Sequence, residues 1–185
     1  MLKEIIGDVR IGMEKSLNAL DVAFKRIRTG RASPSLLDDI KIDYYGTLNP
    51  LSQVANISVE DAKTIVIIPW EKTIVQEIEK AIVESDLGLN PTSSGDKIRL
   101  NLPDLTEETR KEFVKKARSE TEKAKISIRN VRREGNSQLK EFLKDKEISR
   151  DEERKGEEEV QKLTDLFVNK IEKALKMKEQ DLLDF

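Results

Sequence analysis

The feature that most constrains this chain is a set of three long stretches in which apolar side chains recur every three or four residues while the positions between them are largely charged. In residues 1–29 the apolar positions are Leu2, Ile6, Val9, Met13, Leu17, Leu20, Phe24 and Ile27. From Thr106 onward a second seam runs through Phe113, Ala117, Ala124, Ile128, Val131, Gly135 and Phe142. A third follows through Val160, Leu163, Phe167, Ile171, Ala174 or Leu175, and Leu182. Steps of three and four residues put the members of a seam on one face of a helix. Stripes this narrow do not sustain an isolated helix in water, so the three helices must bury their seams against one another. At ~1.5 Å per residue the second and third each reach roughly 50 Å, and the pattern predicts an elongated three-helix bundle. Composition agrees: 38% of residues are charged and 4% aromatic, which suits charged outer faces around thin seams better than a bulky core.

Helix boundaries carry their own signals. Thr29-Gly30 offers a glycine stop to the first helix. Thr106 is placed to cap the second, with Glu107 and Glu108 in its first turn facing the positive end of the helix dipole. Asp145-Lys146-Glu147 interrupts the second seam, and Ser149-Arg150-Asp151-Glu152 is a capping box that starts the third helix. Gly135 falls on the core side of the second helix, where close helix approach or a slight bend accounts for it.

Residues 30–105 follow a different period. Ile40-Lys41-Ile42-Asp43-Tyr44 alternates, Tyr45-Gly46-Thr47 turns, and Thr64-Ile65-Val66-Ile67-Ile68 is a β-branched run closed by Pro69. Ile74, Ile78, Ala81, Ile82 and Val83 form a short amphipathic helix ending near Asp86-Leu87-Gly88, and Lys97 to Leu102 alternates again before Pro103. The expected fold is therefore α+β: a bundle of residues 1–29 and 106–185 with a small β/α/β domain, residues 30–105, inserted between its first and second helices. Tyr44, Tyr45 and Trp70 are expected in the core of that insert. Two connections join it to one end of the bundle, near 30–34 and 103–106, and a double linker restricts motion to a hinge. The hinge residues expected are Thr29, Gly30, Ser33, Pro34, Pro103, Asp104 and Leu105.

The residue inventory excludes most enzymology. There is no cysteine and no histidine, which removes disulfides, thiol nucleophiles, imidazole bases and nearly every zinc site. Ser33 and Ser35 lie in a loop without a base to activate them, and Gly88 to Gly95 lacks the Gly-Lys-Ser/Thr ending of a phosphate loop. No window approaches the ~20 consecutive apolar residues of a membrane span. No catalytic residue, metal or cofactor is expected. The reading is a cytoplasmic monomer that meets neither membrane nor DNA.

Charge is distributed unevenly around a net of −2. Gly30 to Leu105 holds seven Lys/Arg against twelve Asp/Glu, Arg110 to Arg133 ten against three, and Asp145 to Val160 four against eight. A strongly basic helical segment beside an acidic one points to a polyanion facing one surface. Within the basic segment Lys111, Arg118, Lys125 and Arg132 recur every seven residues, so in a bundle with a near-heptad seam they are expected to stay in register along one flank. Lys115 and Arg129 widen that stripe; Arg133, with Lys25, Arg26, Arg28 and Arg31 near the hinge end, extends it. A row of guanidinium and ammonium groups matches the spaced phosphates of folded RNA. Few aromatics accompany it, which argues against base stacking as the mode. The competing reading is that cations flanking a seam pair with carboxylates of the next helix, the acidic Asp145 to Val160 segment supplying some of them. In that case the chain is a helical adaptor for protein partners.

Seven strings in order then carry a resemblance. Arg28-Thr29-Gly30-Arg31-Ala32-Ser33-Pro34-Ser35-Leu36-Leu37-Asp38, Tyr44-Tyr45-Gly46-Thr47, Glu79-Lys80-Ala81-Ile82, Ser85-Asp86-Leu87-Gly88-Leu89-Asn90-Pro91, Arg129-Asn130-Val131-Arg132-Arg133, Lys144-Asp145-Lys146-Glu147-Ile148-Ser149 and Gln161-Lys162-Leu163-Thr164-Asp165 resemble the bacterial ribosome recycling factor family, over essentially the whole chain. The resemblance implies an L-shaped molecule with the dimensions of transfer RNA. It also implies binding to post-termination ribosomes and, with elongation factor G and its GTP hydrolysis, separation of the subunits. Arg28, Arg110, Arg129 and Arg132 match family positions expected to touch large-subunit ribosomal RNA, and the acidic insert is expected to meet the elongation factor.

Overall fold

The computed structural model describes residues 1–183. The chain forms α1 (Leu2–Arg26), β1 (Lys41–Tyr44), β2 (Thr47–Pro50), β3 (Ala55–Asp61), β4 (Thr64–Pro69), α2 (Val75–Glu84), β5 (Asn90–Ser94), β6 (Lys97–Asn101), α3 (Glu107–Lys144) and α4 (Arg150–Leu183). The fold is α+β and divides into two compact units, Met1–Ile27 with Lys111–Leu183, and Arg28–Arg110.

The first unit is a bundle of α1, α3 and α4. Its core is built from Ile5, Val9, Met13, Leu20 and Phe24 of α1, Ala117, Ala124, Ile128 and Leu139 of α3, and Val160, Leu163, Phe167, Ile171 and Leu182 of α4. Small and polar residues complete the seams. Thr121 and Thr164 are buried, and each hydroxyl donates one turn back, to the Ala117 and Val160 carbonyls at 2.9 and 2.8 Å. Ser16 of α1 and Ser127 of α3 share a hydrogen bond of 2.7 Å. Gly135 lets α1 approach α3 closely: a Cβ there would sit 2.5 Å from Val9 Cγ2. Ile5 and Ser16 are buried where the apolar count favours Ile6 and Leu17, which are only half-buried.

The helix ends follow the capping chemistry with one exception. The Thr106 hydroxyl accepts the Thr109 N–H at 3.1 Å. The Ser149 N–H donates to the Glu152 carboxylate at 2.8 Å while the Glu152 N–H donates back to the Ser149 hydroxyl at 3.3 Å, closing the box in both directions. α3 ends with Lys146 at φ +57°, the Lys146 N–H on the Leu143 carbonyl and the Glu147 N–H on the Phe142 carbonyl. The exception is α1, which stops at Arg26 rather than at Thr29-Gly30. Ile27 already has extended backbone, and its carbonyl accepts the Lys178 ammonium at 2.9 Å, so glycine is not what ends this helix.

The second unit pairs a β1–β2 hairpin with an antiparallel sheet of order β3-β4-β6-β5, packed on α2. β4 is central and buried along most of its length, and Ile65, Ile67, Ile78, Ile82, Ile98, Leu100, Leu51 and Ile42 form the core. Tyr45 and Trp70 are not in it, whereas Tyr44 packs against it. Tyr45 is 83% and Trp70 69% exposed, and Tyr44 is half-buried. Tyr45 and Gly46, at φ +52° and +79°, are the two central residues of the tight hairpin turn, which places the Tyr45 ring at the tip. The two tyrosine hydroxyls donate to opposite oxygens of Glu71, at 2.6 and 3.2 Å, and this carboxylate pushes the Tyr44 phenol up to about 12.

Candidate nucleic-acid interface

The α3 stripe does not run straight. A straight helix drifts ~20° per heptad relative to a seven-residue repeat, so Lys111, Arg118, Lys125 and Arg132 wind through about 60° instead of keeping one flank. Lys111 and Arg118 are exposed and Lys125 and Arg132 half-buried, as that winding requires. The drift carries the stripe toward α4. Arg118 Nε donates to Glu179 Oε1 at 2.6 Å, and Lys125 Nζ lies 3.4 Å from Glu172 and 3.5 Å from Glu122. Pairing with the next helix thus takes two members of the stripe. The carboxylates come from the C-terminal half of α4, not from the acidic Asp145 to Val160 segment, whose Glu158 and Glu159 pair along their own helix with Arg154 and Lys162.

The other candidate cations differ in how they are held. Arg129 is exposed and Arg132 half-buried, and neither makes a hydrogen bond or ion pair with the described residues. Arg133 is exposed, its guanidinium donating to Asn130 Oδ1 at 3.0 Å. Lys111 and Arg31 are exposed, and Arg110 is half-buried with its Nε enclosed. Arg28 is held differently: its guanidinium donates to the Pro103 carbonyl, its Nε is buried, and burial lowers its pKa. Unengaged guanidiniums are the groups with least to give up on meeting a phosphate, and exposed Arg129 with half-buried Arg132 is where α3 supplies them.

The segments that carry the expected hinge residues are tied to the second unit at their inner ends. The Ala32 N–H donates to the Ala62 carbonyl at 2.7 Å and the Leu102 N–H to the Lys63 carbonyl at 2.8 Å, so both connecting segments are fastened to the β3–β4 turn. Lys63 also pairs with Asp104, and this ammonium holds the Asp104 carboxyl below its usual range. Thr29 and Ser33 are half-buried, Gly30 and Leu105 buried, and Pro34, Pro103 and Asp104 exposed. Lys63 has no signal in the sequence. Glu172 and Glu179 do have one, since with Asp165 they repeat the seven-residue interval of the stripe they face.

Among the described residues no acidic group assembles a metal site, and no helix is long and apolar enough to cross a membrane.

Comparison with known proteins adds an independent line. The family model described as Ribosome recycling factor matches residues 20–183. A ribosome-recycling factor of Alcanivorax borkumensis is 57% identical over 183 residues, 99% of each chain, and one of Marinomonas sp. is 53% identical over the whole of both. A solution structure of the ribosome recycling factor superposes with a TM-score of 0.80 at 39% identity, covering 100% of this chain and 98% of that one. A second structure, presented as models for the T. thermophilus ribosome recycling factor and the E. coli elongation factor G bound to the E. coli post-termination complex, gives 0.69 at 43% identity, covering 99% of both chains.

Proposed function

The chain belongs to the ribosome recycling factor family, and on that premise we propose that it binds ribosomes after termination and, with elongation factor G and GTP, promotes subunit dissociation and release of mRNA and tRNA. The family relative presented with elongation factor G on a post-termination complex supports both partners. In this reading the chain is not an enzyme: the elongation factor hydrolyses the GTP, and a sequence without histidine or cysteine supplies binding and stiffness. It works in the cytoplasm as a monomer.

Contact with large-subunit ribosomal RNA is assigned to Arg110, Lys111, Arg118, Lys125, Arg129, Arg132 and Arg133 of α3, with Arg28 and Arg31 at its hinge end. The observation that carries the assignment is that Arg129 and Arg132 keep their guanidiniums unengaged in a stripe of which Arg118 and Lys125 are paired to α4. Compliance is assigned to the two connections, Thr29, Gly30, Ser33 and Pro34 on one side and Pro103, Asp104 and Leu105 on the other. The ties from Ala32 and Leu102 to the β3–β4 turn favour bending on the helix side of those residues.

A salt titration of ribosome binding tests the face. Each duplex phosphate contact contributes about 0.9 to the slope of log affinity against log salt, so losing one changes the wild-type-to-variant ratio about 3.5-fold over a fourfold change in salt. Arg132→Ala and Arg129→Ala are expected to weaken binding at low salt and flatten the slope by that amount. Arg118→Ala is expected to do less, since wild-type Arg118 must leave Glu179 before it can serve a phosphate. Wild-type affinity and slope in both Arg129→Ala and Arg132→Ala would overturn the assignment.

A further inference from the structure

The ion pairs between α3 and α4 form an antiparallel ladder with an open rung. Arg118 meets Glu179; seven residues on along α3 and seven back along α4, Lys125 meets Glu172. The next step of the same count, seven on along α3 and seven back along α4, sets Arg132 level with Asp165 along the helix axes. Yet Arg132 makes no ion pair with any described residue, and Asp165 instead accepts the side-chain amide of Gln161 at 2.9 Å. Two features distinguish this rung from the closed ones. Aspartate is one methylene shorter than the glutamates of the other rungs, and Gln161, one turn earlier on α4, places an N–H donor on the carboxylate.

An amide–carboxylate pair at i,i+4 ordinarily props a helix surface. Here the same contact also occupies the acceptor that the register sets against Arg132. A carboxylate and a phosphate compete for the same guanidinium fork, so an acceptor held on α4 would lower the apparent affinity for RNA by the population of the internal pair. We propose that Gln161 is a positioning residue for ribosome binding: by engaging Asp165 it leaves the Arg132 guanidinium open to phosphate. The inference rests on the reading of α3 as the RNA-facing helix.

The test uses the full chain and intact ribosomes in the same salt titration, with wild type, Gln161→Leu, Gln161→Leu/Asp165→Asn and Arg132→Ala compared. Gln161→Leu removes the donor from an exposed position and leaves the carboxylate free to turn to Arg132. Binding at low salt is expected to weaken about two- to fivefold, the population range of an exposed ion pair, and the salt slope to become shallower. The added Asp165→Asn change removes the competing charge and is expected to restore both. A merely structural role for Gln161 would not be rescued by it. Wild-type binding by Gln161→Leu, or a double variant as weak as the single one, overturns the inference while weakened binding by Arg132→Ala leaves the RNA face standing. Wild-type binding by Arg132→Ala also overturns the inference, and overturns the RNA face with it only where Arg129→Ala binds as wild type too.

Discussion

Gly135→Ala isolates the closest approach of α1 and α3. The added Cβ would lie 2.5 Å from Val9 Cγ2, whereas carbon atoms rest at about 3.5–4.0 Å, so the two helices must part by about 1 Å or Val9 must leave its rotamer. Overpacking of this kind costs about 1–3 kcal/mol. Replacing glycine inside a helix returns about 1 kcal/mol of backbone entropy, which leaves a net loss of about 1 kcal/mol. For a chain of this size that corresponds to about 2–4 °C in the melting temperature of the helical unit, followed by far-ultraviolet circular dichroism. The sign is the sharper test. Val9→Ala removes the methyl group the new Cβ would strike, so in that background Gly135→Ala meets only ordinary van der Waals contacts, with Val160 Cγ2 at 3.8 Å and Cβ of residue 9 at 3.9 Å, and is expected to stabilise by about 1 kcal/mol. A coupling of about 2 kcal/mol between two helices then follows from one contact, within the range neighbouring residues show. Equal effects of Gly135→Ala in both backgrounds would refute the reasoning, since the contact with Val9 would then decide nothing.

Two further outcomes rest on the helix ends. Lys146 holds φ +57° to close α3, a conformation that costs an L residue about 1–2 kcal/mol, so Lys146→Gly is expected to raise stability by about 1 kcal/mol in urea unfolding; a loss would show that the lysine side chain contributes more than its backbone costs. The Ser149 N–H and hydroxyl lower the pKa of Glu152, so its contribution to stability is present above the unfolded carboxyl value of ~4.3 and fades as pH falls through the depressed folded value. The stability gap between wild type and Glu152→Gln should therefore be constant near neutrality and close in acid, and a gap independent of pH would sink the reading.

The helices are legible in the sequence because their seams, caps and capping box are local signals. Ser149 and Glu152 are three residues apart, and their reciprocal bonds need nothing from elsewhere in the chain. Three strands carry no such signal. β5, Asn90-Pro91-Thr92-Ser93-Ser94, has no apolar alternation and includes a proline, which an edge strand tolerates; its pairing with β6 is what makes it a strand. β3 is the opposite edge and leaves Val59 43% exposed, and β2 keeps Leu48 67% exposed, so neither reads as half-buried. The aromatic prior failed at Tyr45 and Trp70 for a related reason: a hairpin tip and the residue after Pro69 are set by backbone geometry, not by the affinity of a ring for a core.

The basic stripe was legible as a set of residues but not as a surface, and the difference is geometric. Seven residues of α-helix turn through 700°, so a heptad of cations keeps one face only if the helix supercoils to match it. Where winding brings a cation against α4, what happens depends on the length and prior engagement of the carboxylate it meets. Glu179 and Glu172 reach across to Arg118 and Lys125, while Asp165 is shorter and already takes an amide. In the proposed reading, the same interval of seven on two antiparallel helices serves two ends: the Arg118–Glu179 and Lys125–Glu172 pairs tie α3 to α4, and Arg132 is left for RNA phosphate. Exchanging the carboxylate lengths, with Asp165→Glu closing the open rung and Glu172→Asp loosening a closed one, should move RNA affinity and bundle stability in opposite directions. A change in only one of the two quantities would show that the ladder does not divide its rungs in this way.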